Sequence, residues 1–281
     1  MTASIRDLLR APVDGTFALS GVSTAAPRAI GRGKAERETD RDRKSLAGWQ
    51  ERLFAENKRS LLIVLQGTDT SGKDGTIKHV VGAMNPQGVH VTSFKQPTER
   101  ELAHQFLWRI KRALPEQRYV GTFNRSHYED VVTVRVHSLV PEQEWRPRFA
   151  AINRFEKGLV AHGTTVVKVF LHISFDEQRK RLLKRLDEPT KRWKFAPHDL
   201  DERELWEAYM QAYSEAIARC STEVAPWYVV PADSKWFRNW AVARILVETF
   251  EEMRPAYPQP QLDVPGLRRR LKQRPKSLPP L

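Results

Sequence analysis

Residues 60–75 read Ser-Leu-Leu-Ile-Val-Leu-Gln-Gly-Thr-Asp-Thr-Ser-Gly-Lys-Asp-Gly, and no other stretch constrains the fold as tightly. The apolar run Leu61 to Leu65 predicts a strand buried on both faces, as in parallel sheets. It runs directly into Gly67-x-x-x-x-Gly72-Lys73, the spacing of a phosphate-cradling loop. Glycines at 67, 72 and 75 let the backbone through Thr70 and Ser71 curl, so that successive N–H groups aim at anionic oxygens. The helix that follows adds its positive end, Lys73 adds a full charge, and Lys78 extends the basic set. The usual loop closes on Lys-Ser or Lys-Thr, whose hydroxyl holds magnesium. Here Asp74 follows the lysine and Asp69 sits inside the loop. A carboxylate among donors that favour phosphate is repulsive unless a divalent cation lies between them. Asp69 is therefore a magnesium candidate, the alternative being a turn-forming Asp that caps its own backbone.

Around this motif the chain alternates strands and helices. Strands are expected at 60–66, 89–94, 119–123, 164–173 and 227–230. Helices are expected at 36–57, from the loop to about 84, after the Thr98-x-x-Glu101 capping box, at 126–137 and at 146–161. Further helices are expected after Ser174-x-x-Glu177, at 201–221 and at 234–253. Leu102, Phe106, Leu107 and Ile110 should face inward on one helix, and Leu182, Leu183 and Leu186 on another. The alternation predicts a three-layer α/β/α fold around a mainly parallel five-stranded sheet. Residues 1–35 read as irregular surface and 36–254 as the folded α/β domain, with a charged, aromatic segment, Lys191 to Asp199, following Pro189. Residues 255–281 read as a basic, proline-rich tail that does not fold, carrying Arg268, Arg269, Arg270, Lys272, Arg274 and Lys276.

Lysine and arginine number 47 against 34 acids, a formal charge of +13 in 281 residues. Such an excess implies an anionic partner. The single cysteine, Cys220, excludes a disulfide framework and fits a reducing cytoplasm. No run of roughly 18 apolar residues offers a membrane span, and the N-terminus lacks a secretory apolar region.

Ligands in open α/β sheets bind beyond the carboxyl ends of the strands. Three such ends converge on charge: Asp69 and Lys73, then Lys95, then Asn124-Arg125-Ser126-His127-Tyr128-Glu129-Asp130. Phosphoryl transfer needs cations around a phosphoryl group and acids to hold its metal. Lys73 and Arg125 supply the first; Asp69 with Glu129 or Asp130 supply the second. His127 reads as packing. For Glu129 and Asp130, an acidic first helical turn facing the helix dipole is the rival account.

These segments together resemble the second family of polyphosphate kinases. The resemblance rests on Gly67-x-Asp69-x-x-Gly72-Lys73-Asp74-Gly75, Ser93-Phe94-Lys95-Gln96-Pro97, Phe123-Asn124-Arg125-Ser126-x-Tyr128-Glu129-Asp130 and Trp193-Lys194-Phe195, spread from about Trp49 to Trp236. It implies magnesium-dependent transfer (manganese being the substitute) between inorganic polyphosphate and nucleotides. The nucleotides are AMP, ADP and ATP, with guanine nucleotides as an extension, and the assembly is a homo-oligomer. By the same resemblance Lys73 binds the phosphates, Asp69 serves magnesium and the acceptor phosphate, and Arg125 stabilises the transferring charge. The resemblance also implies a helical, mobile lid over the site, matching about 188–200, from which Lys191 and Lys194 close over the phosphates. Arg179 and Arg185 match the basic residues of the polyphosphate channel, and Trp193 either stacks on a base or anchors the lid. Asn124 departs from the Asp of many relatives, which shifts metal binding toward Asp69, Glu129 and Asp130. His127-Tyr128-Glu129 resembles the branch that accepts both mono- and diphosphates. Two other readings compete: an ATP-dependent nucleotide kinase, and a nucleic-acid-binding protein, for which no recognition motif is present.

Overall fold

Alternate side chains of the first strand enter opposite layers, and this alternation builds the core. The computed structural model describes residues 4–273. Strand β1 (Ser60–Gln66) is buried at every position. Leu61, Ile63 and Leu65 join one apolar cluster with Leu46, Leu53, Phe237 and Phe250, while Leu62 and Val64 join another with Phe123, Ile152, Phe170 and Ile217. Each fully buried side chain of this size contributes about 1.5–3 kcal/mol. A strand that does so on both faces has to be central.

The remaining strands are β2 (Val89–Ser93), β3 (Val120–Asn124), β4 (Thr164–His172) and β5 (Trp227–Pro231). They lie in the order β2-β3-β1-β4-β5 and every neighbouring pair is parallel. From β1 the chain crosses to the β2–β3 side and later returns to β4 on the other side. The reversal opens a crevice beyond the carboxyl end of β1, where the Gly67–Lys73 loop emerges.

Thirteen helices cover the sheet among the described residues. Before β2 come α1 (Ile5–Leu9), α2 (Arg32–Glu56) and α3 (Lys73–His79), and between β2 and β4 come α4 (Glu99–Leu102), α5 (Trp108–Arg112), α6 (Thr133–Val136), α7 (Glu142–Trp145) and α8 (Arg148–Ala161). After β4 follow α9 (Phe175–Asp187), α10 (His198–Glu204), α11 (Trp206–Cys220), α12 (Lys235–Met253) and α13 (Val264–Lys272). None is long and apolar enough to cross a membrane.

Several expectations change. The N-terminal stretch is not simply irregular surface: Ile5, Leu9, Ala11 and Leu19 are buried, and the Ala11 amide donates to Trp227 O at the start of β5. The helix expected at 126–137 breaks into a 3-10 turn at His127–Asp130 and the short α6, because Ser126 caps the turn by accepting from the Tyr128 amide. The Thr98 capping box is present, but its helix stops at Leu102, which is exposed. Ser174 caps α9, yet Glu177 turns to Arg181 instead of closing the box, and Asp233 takes the Ser174 amide. On α9 only Leu182 is buried; Leu183 and Leu186 face solvent. Part of the tail folds as α13, whose first turn Asp263 caps ahead of Pro265. Arg274 and Lys276 lie outside the described residues.

One polar cluster lies inside the second apolar layer. Lys168, on β4, donates to Glu156 Oε2 at 2.5 Å, to the Cys220 carbonyl at 2.6 Å and to the Tyr128 hydroxyl at 2.9 Å. Tyr128 in turn donates to Glu156 Oε1 at 2.9 Å, and His127 Nε2 lies 3.2 Å from the same oxygen. All four side chains are buried. Against the penalty of burial, Lys168 and His127 hold the Glu156 carboxyl below its ordinary range. The cluster pins the turn that leaves β3. Lys168→Met leaves the Glu156 charge stranded and should cost about 3–5 kcal/mol in urea unfolding. Adding Glu156→Leu should recover part of that loss; a double variant no more stable than the single one would contradict the ion-pair account.

Candidate active site

The loop between β1 and α3 is shaped by contacts that only glycine permits. Gly67 has φ 147°, and a Cβ there would meet Ser71 Oγ at 2.7 Å and Leu171 O at 2.8 Å. Gly72 has φ 110°, and its Cβ would lie 1.9 Å from Arg238 Nη1. Thr70 adopts φ 63°, a strained value for a β-branched residue. The Ser71 amide folds back on Thr68 O at 3.1 Å. The amides of Thr70, Gly72 and Lys73 make no hydrogen bond among the described residues. The Ser71 and Thr70 hydroxyls are buried and unpartnered. Lys73 bends back to donate to Gly67 O at 2.6 Å and Thr68 O at 3.2 Å.

Arg125 reaches this loop from the end of β3. Its amide donates to Leu65 O at 3.0 Å, tying the ends of β1 and β3 together. With φ 63° its side chain turns over the loop, where Nη2 donates to Asp69 Oδ1 at 2.9 Å. Burial opposes ionisation of Asp69, but Lys73 and Arg125 outweigh it and hold the carboxyl below its ordinary value. Burial, then the like charge of Arg125, pushes the Lys73 ammonium down to about 8, with Asp69 pulling the other way.

Two cavities meet at Asp69 and Arg125. The larger, of about 610 Å³, is lined by ten lysine and arginine side chains and two carboxylates, Asp69 and Asp74. The smaller, of about 130 Å³, is lined by Glu129, Glu202, His137, Trp206, Tyr209 and Tyr213 among others. An imbalance of ten to two in one enclosure calls for an anion of several charges.

The structure brings together Gly67, Asp69, Thr70, Gly72, Lys73, Asp74, Gly75, Lys95, Arg125, Arg185, Lys191 and Lys194 around these cavities, with Ser71 buried in the loop. Other expected residues fall elsewhere. Lys78 points to solvent on α3, and His79 takes the place beside the cavity. Arg179 is exposed and pairs with Asp176, because six residues on a helix turn it about 120° away from Arg185. The cavity face of α9 is instead Arg181, Lys184 and Arg185, spaced as helical neighbours. Trp193 is 77% exposed, donates to Thr190 O within its own turn and lines neither of these two cavities. Lys235, Arg238 and Asn239 also line the larger cavity. Sequence reasoning missed them because their partners lie on α3 and α9, far away along the chain.

Among the expected metal ligands, Asp130 departs. Its carboxylate lies 3.9 Å from Arg109 and 3.7 Å from Arg148, and burial pushes it up to about 6 despite them. It lines neither cavity. Glu129 lines the smaller cavity beside Asp69; Thr133 donates to its Oε2, and its Oε1 is buried without a partner. Asn124 donates to Asp74 Oδ1 at 2.8 Å, which occupies one oxygen of that acid. No cluster of three His, Cys, Asp or Glu able to hold a metal occurs among the described residues. Two carboxylates suit magnesium, which keeps waters and takes the rest of its shell from substrate phosphates. The residues present therefore fit the ion.

Two outcomes follow from this geometry. Gly72→Ala forces a left-handed φ and a collision with Arg238, and should destabilise the fold by about 1–3 kcal/mol in thermal or urea unfolding. A wild-type midpoint would contradict the loop geometry. An ammonium at Lys73 attracts an anion only while protonated, so kcat/KM for a phosphate-chain substrate should be flat below pH 8 and fall about tenfold per unit above it. Lys73→Arg should move that break upward; an unmoved break assigns it to another group.

The family model described as polyphosphate kinase 2 matches residues 30–258. The chain is 54% identical over 212 residues to an AMP/ADP-polyphosphate phosphotransferase from Meiothermus ruber, covering 75% of this chain and 79% of the relative. It is 46% identical over 226 residues to an ADP-polyphosphate phosphotransferase from Rhodopseudomonas palustris, covering 76% and 78%. The crystal structure of polyphosphate kinase 2 from Arthrobacter aurescens TC1 superposes with a TM-score of 0.92 at 44% identity, covering 96% of each chain. The chain belongs to the polyphosphate kinase 2 family.

Proposed function

We propose that this enzyme, a polyphosphate-dependent nucleotide phosphotransferase, accepts both AMP and ADP, with magnesium as its metal. The observation that carries the reading is the junction of the two cavities at Asp69, Lys73 and Arg125. The basic cavity suits the polyphosphate donor, which presents many more charges than a nucleotide can. The smaller cavity, bordered by aromatic rings and carboxylates, suits the acceptor side. A relative named for both AMP and ADP, 54% identical to this chain, supports the acceptor range.

The reaction exchanges one phosphoanhydride bond for another. The terminal P–O–P bond of polyphosphate breaks, and a P–O bond to the nucleotide's terminal phosphate oxygen forms. The donor leaves one phosphate shorter. The attacking oxygen is already anionic, so no base is required, and positioning and charge stabilisation carry the catalysis. Lys73 leaves the carbonyls of Gly67 and Thr68 for phosphate oxygens, while the loop amides close on the same group. Arg125 offers its remaining N–H groups to the equatorial oxygens. Lys191 and Lys194, carried on the 3-10 turn Pro189–Lys194, lower onto the chain and exclude water. Asp69 and Glu129 would hold magnesium, which when bound would neutralise charge on the phosphate oxygens.

The test is to incubate purified protein with magnesium and polyphosphate and separate the nucleotides. AMP should yield ADP and then ATP, and ADP should yield ATP. Lys73→Ala should lose about 10²–10³ in kcat, the scale for one transition-state donor. Conversion of ADP but not AMP would overturn the dual-acceptor reading. Phosphorylation of AMP by ATP alone, with polyphosphate inert, would overturn the donor.

A further inference from the structure

Arg125 works from a backbone conformation that residues of its type avoid. Its φ of 63° lies in the left-handed region, and such values persist only where the surroundings hold them. The ends of β1 and β2 do the holding. The Phe94 amide donates to Asn124 O at 3.0 Å, and the Arg125 amide donates to Leu65 O at 3.0 Å. The next residue, Ser126, is buried, and its hydroxyl accepts from the Tyr128 amide at 3.2 Å and from Gln66 Nε2 at 3.1 Å.

Gln66 breaks the apolar run of β1. Leu61 to Leu65 carry no polar side chain, yet Gln66 is as fully buried as they are. Burying an amide is costly unless its hydrogen bonds are remade. Among the described residues its side-chain partners are Ser126 and Tyr213, whose hydroxyl lies 3.5 Å from Gln66 Oε1. Tyr213, on α11, lines the smaller cavity, and burial pushes its hydroxyl far up, so it stays a donor. Gln66 itself lines neither cavity. It sits between Leu65, whose carbonyl takes the Arg125 amide, and Gly67, whose carbonyl takes the Lys73 ammonium.

We infer that Gln66 is a positioning residue for phosphoryl transfer: through the Ser126 hydroxyl it holds Arg125 in the conformation that aims its guanidinium over the loop. This deepens the phosphotransferase reading above and rests on Arg125 reaching the transferring group. Without the Gln66 bond the turn at Arg125 and Ser126 relaxes toward commoner backbone angles, and the guanidinium leaves its place. A misplacement of about 1 Å costs a catalytic group as much as 10²-fold. Substrate binding, spread over the ten cations of the larger cavity, changes little. The loss therefore falls on kcat.

The experiment measures kcat and KM for polyphosphate and for ADP in Gln66→Met, which keeps the bulk and removes both side-chain bonds, and in Ser126→Ala, which removes the acceptor alone. Each is also combined with Arg125→Ala. Each single variant should lower kcat at least tenfold and leave both KM values within twofold of wild type. Arg125→Ala alone should lose about 10²–10³ in kcat, which leaves turnover measurable. In that background neither variant should lower kcat more than twofold further, because the group being positioned is gone. A merely structural role would lower kcat by the same factor with or without Arg125, and that result overturns the proposal, as does an unchanged kcat in the single variants. Ser126→Ala deletes one oxygen, so its cycle decides the case if Gln66→Met fails to fold. Either failure leaves the phosphotransferase reading standing while wild type turns over polyphosphate; no turnover by wild type overturns both.

Discussion

Crowding of positive charge around the Gly67–Lys73 loop is the constraint on which the rest of the molecule depends. Ten cationic side chains border one cavity, and two carboxylates cannot neutralise them. Lys73 and Arg238 show the strain directly: burial, with a neighbouring arginine in each case, moves one down to about 8 and the other to about 10. Such an arrangement persists only because the scaffold beneath it is stable on its own terms. The two-sided packing of β1, the parallel register with β3 and β4, and the buried Lys168–Glu156 cluster supply that support.

The same crowding links fold to chemistry. Parallel strands place their carboxyl ends together, so one sheet edge collects the loop, Lys95 and Arg125. α9 and α12 then bring arginines under the loop. Arg181 donates to the carbonyls of Thr70 and Ser71, and Nη2 to those of Ala232 and Asp233, stapling the loop to the end of β5. A polyanion arriving in this crevice replaces repulsion between cations with attraction to phosphate, and its binding should strengthen as the crowding is relieved.

What could be read from the sequence divides along the same physical line. β1, its loop and α3 were legible because the motif and its flanking pattern are contiguous, and strand alternation gave the fold class. The placement of Arg125 and Asp69 beside the loop was legible because a phosphate-cradling loop restricts which charged residues can gather around it. The phase of α9 was misread: Arg179 and Arg185 lie on different sides, and only Arg181, Lys184 and Arg185 share the spacing of one face. The break at Ser126 depends on a cap that competes with helix propensity. Arg238 could not be read at all, since the reason for its burial is Gly72, on another element. Asp130 looked like a ligand until Arg109 and Arg148 claimed it.

The most direct measurement is an NMR titration of the Lys73 side-chain amine, assigned by comparison with Lys73→Arg, in free protein and with polyphosphate added. The account requires a midpoint near 8 in the free protein and an upward shift of at least one unit when the chain is present. A midpoint that polyphosphate leaves in place would mean that Lys73 does not hold the donor.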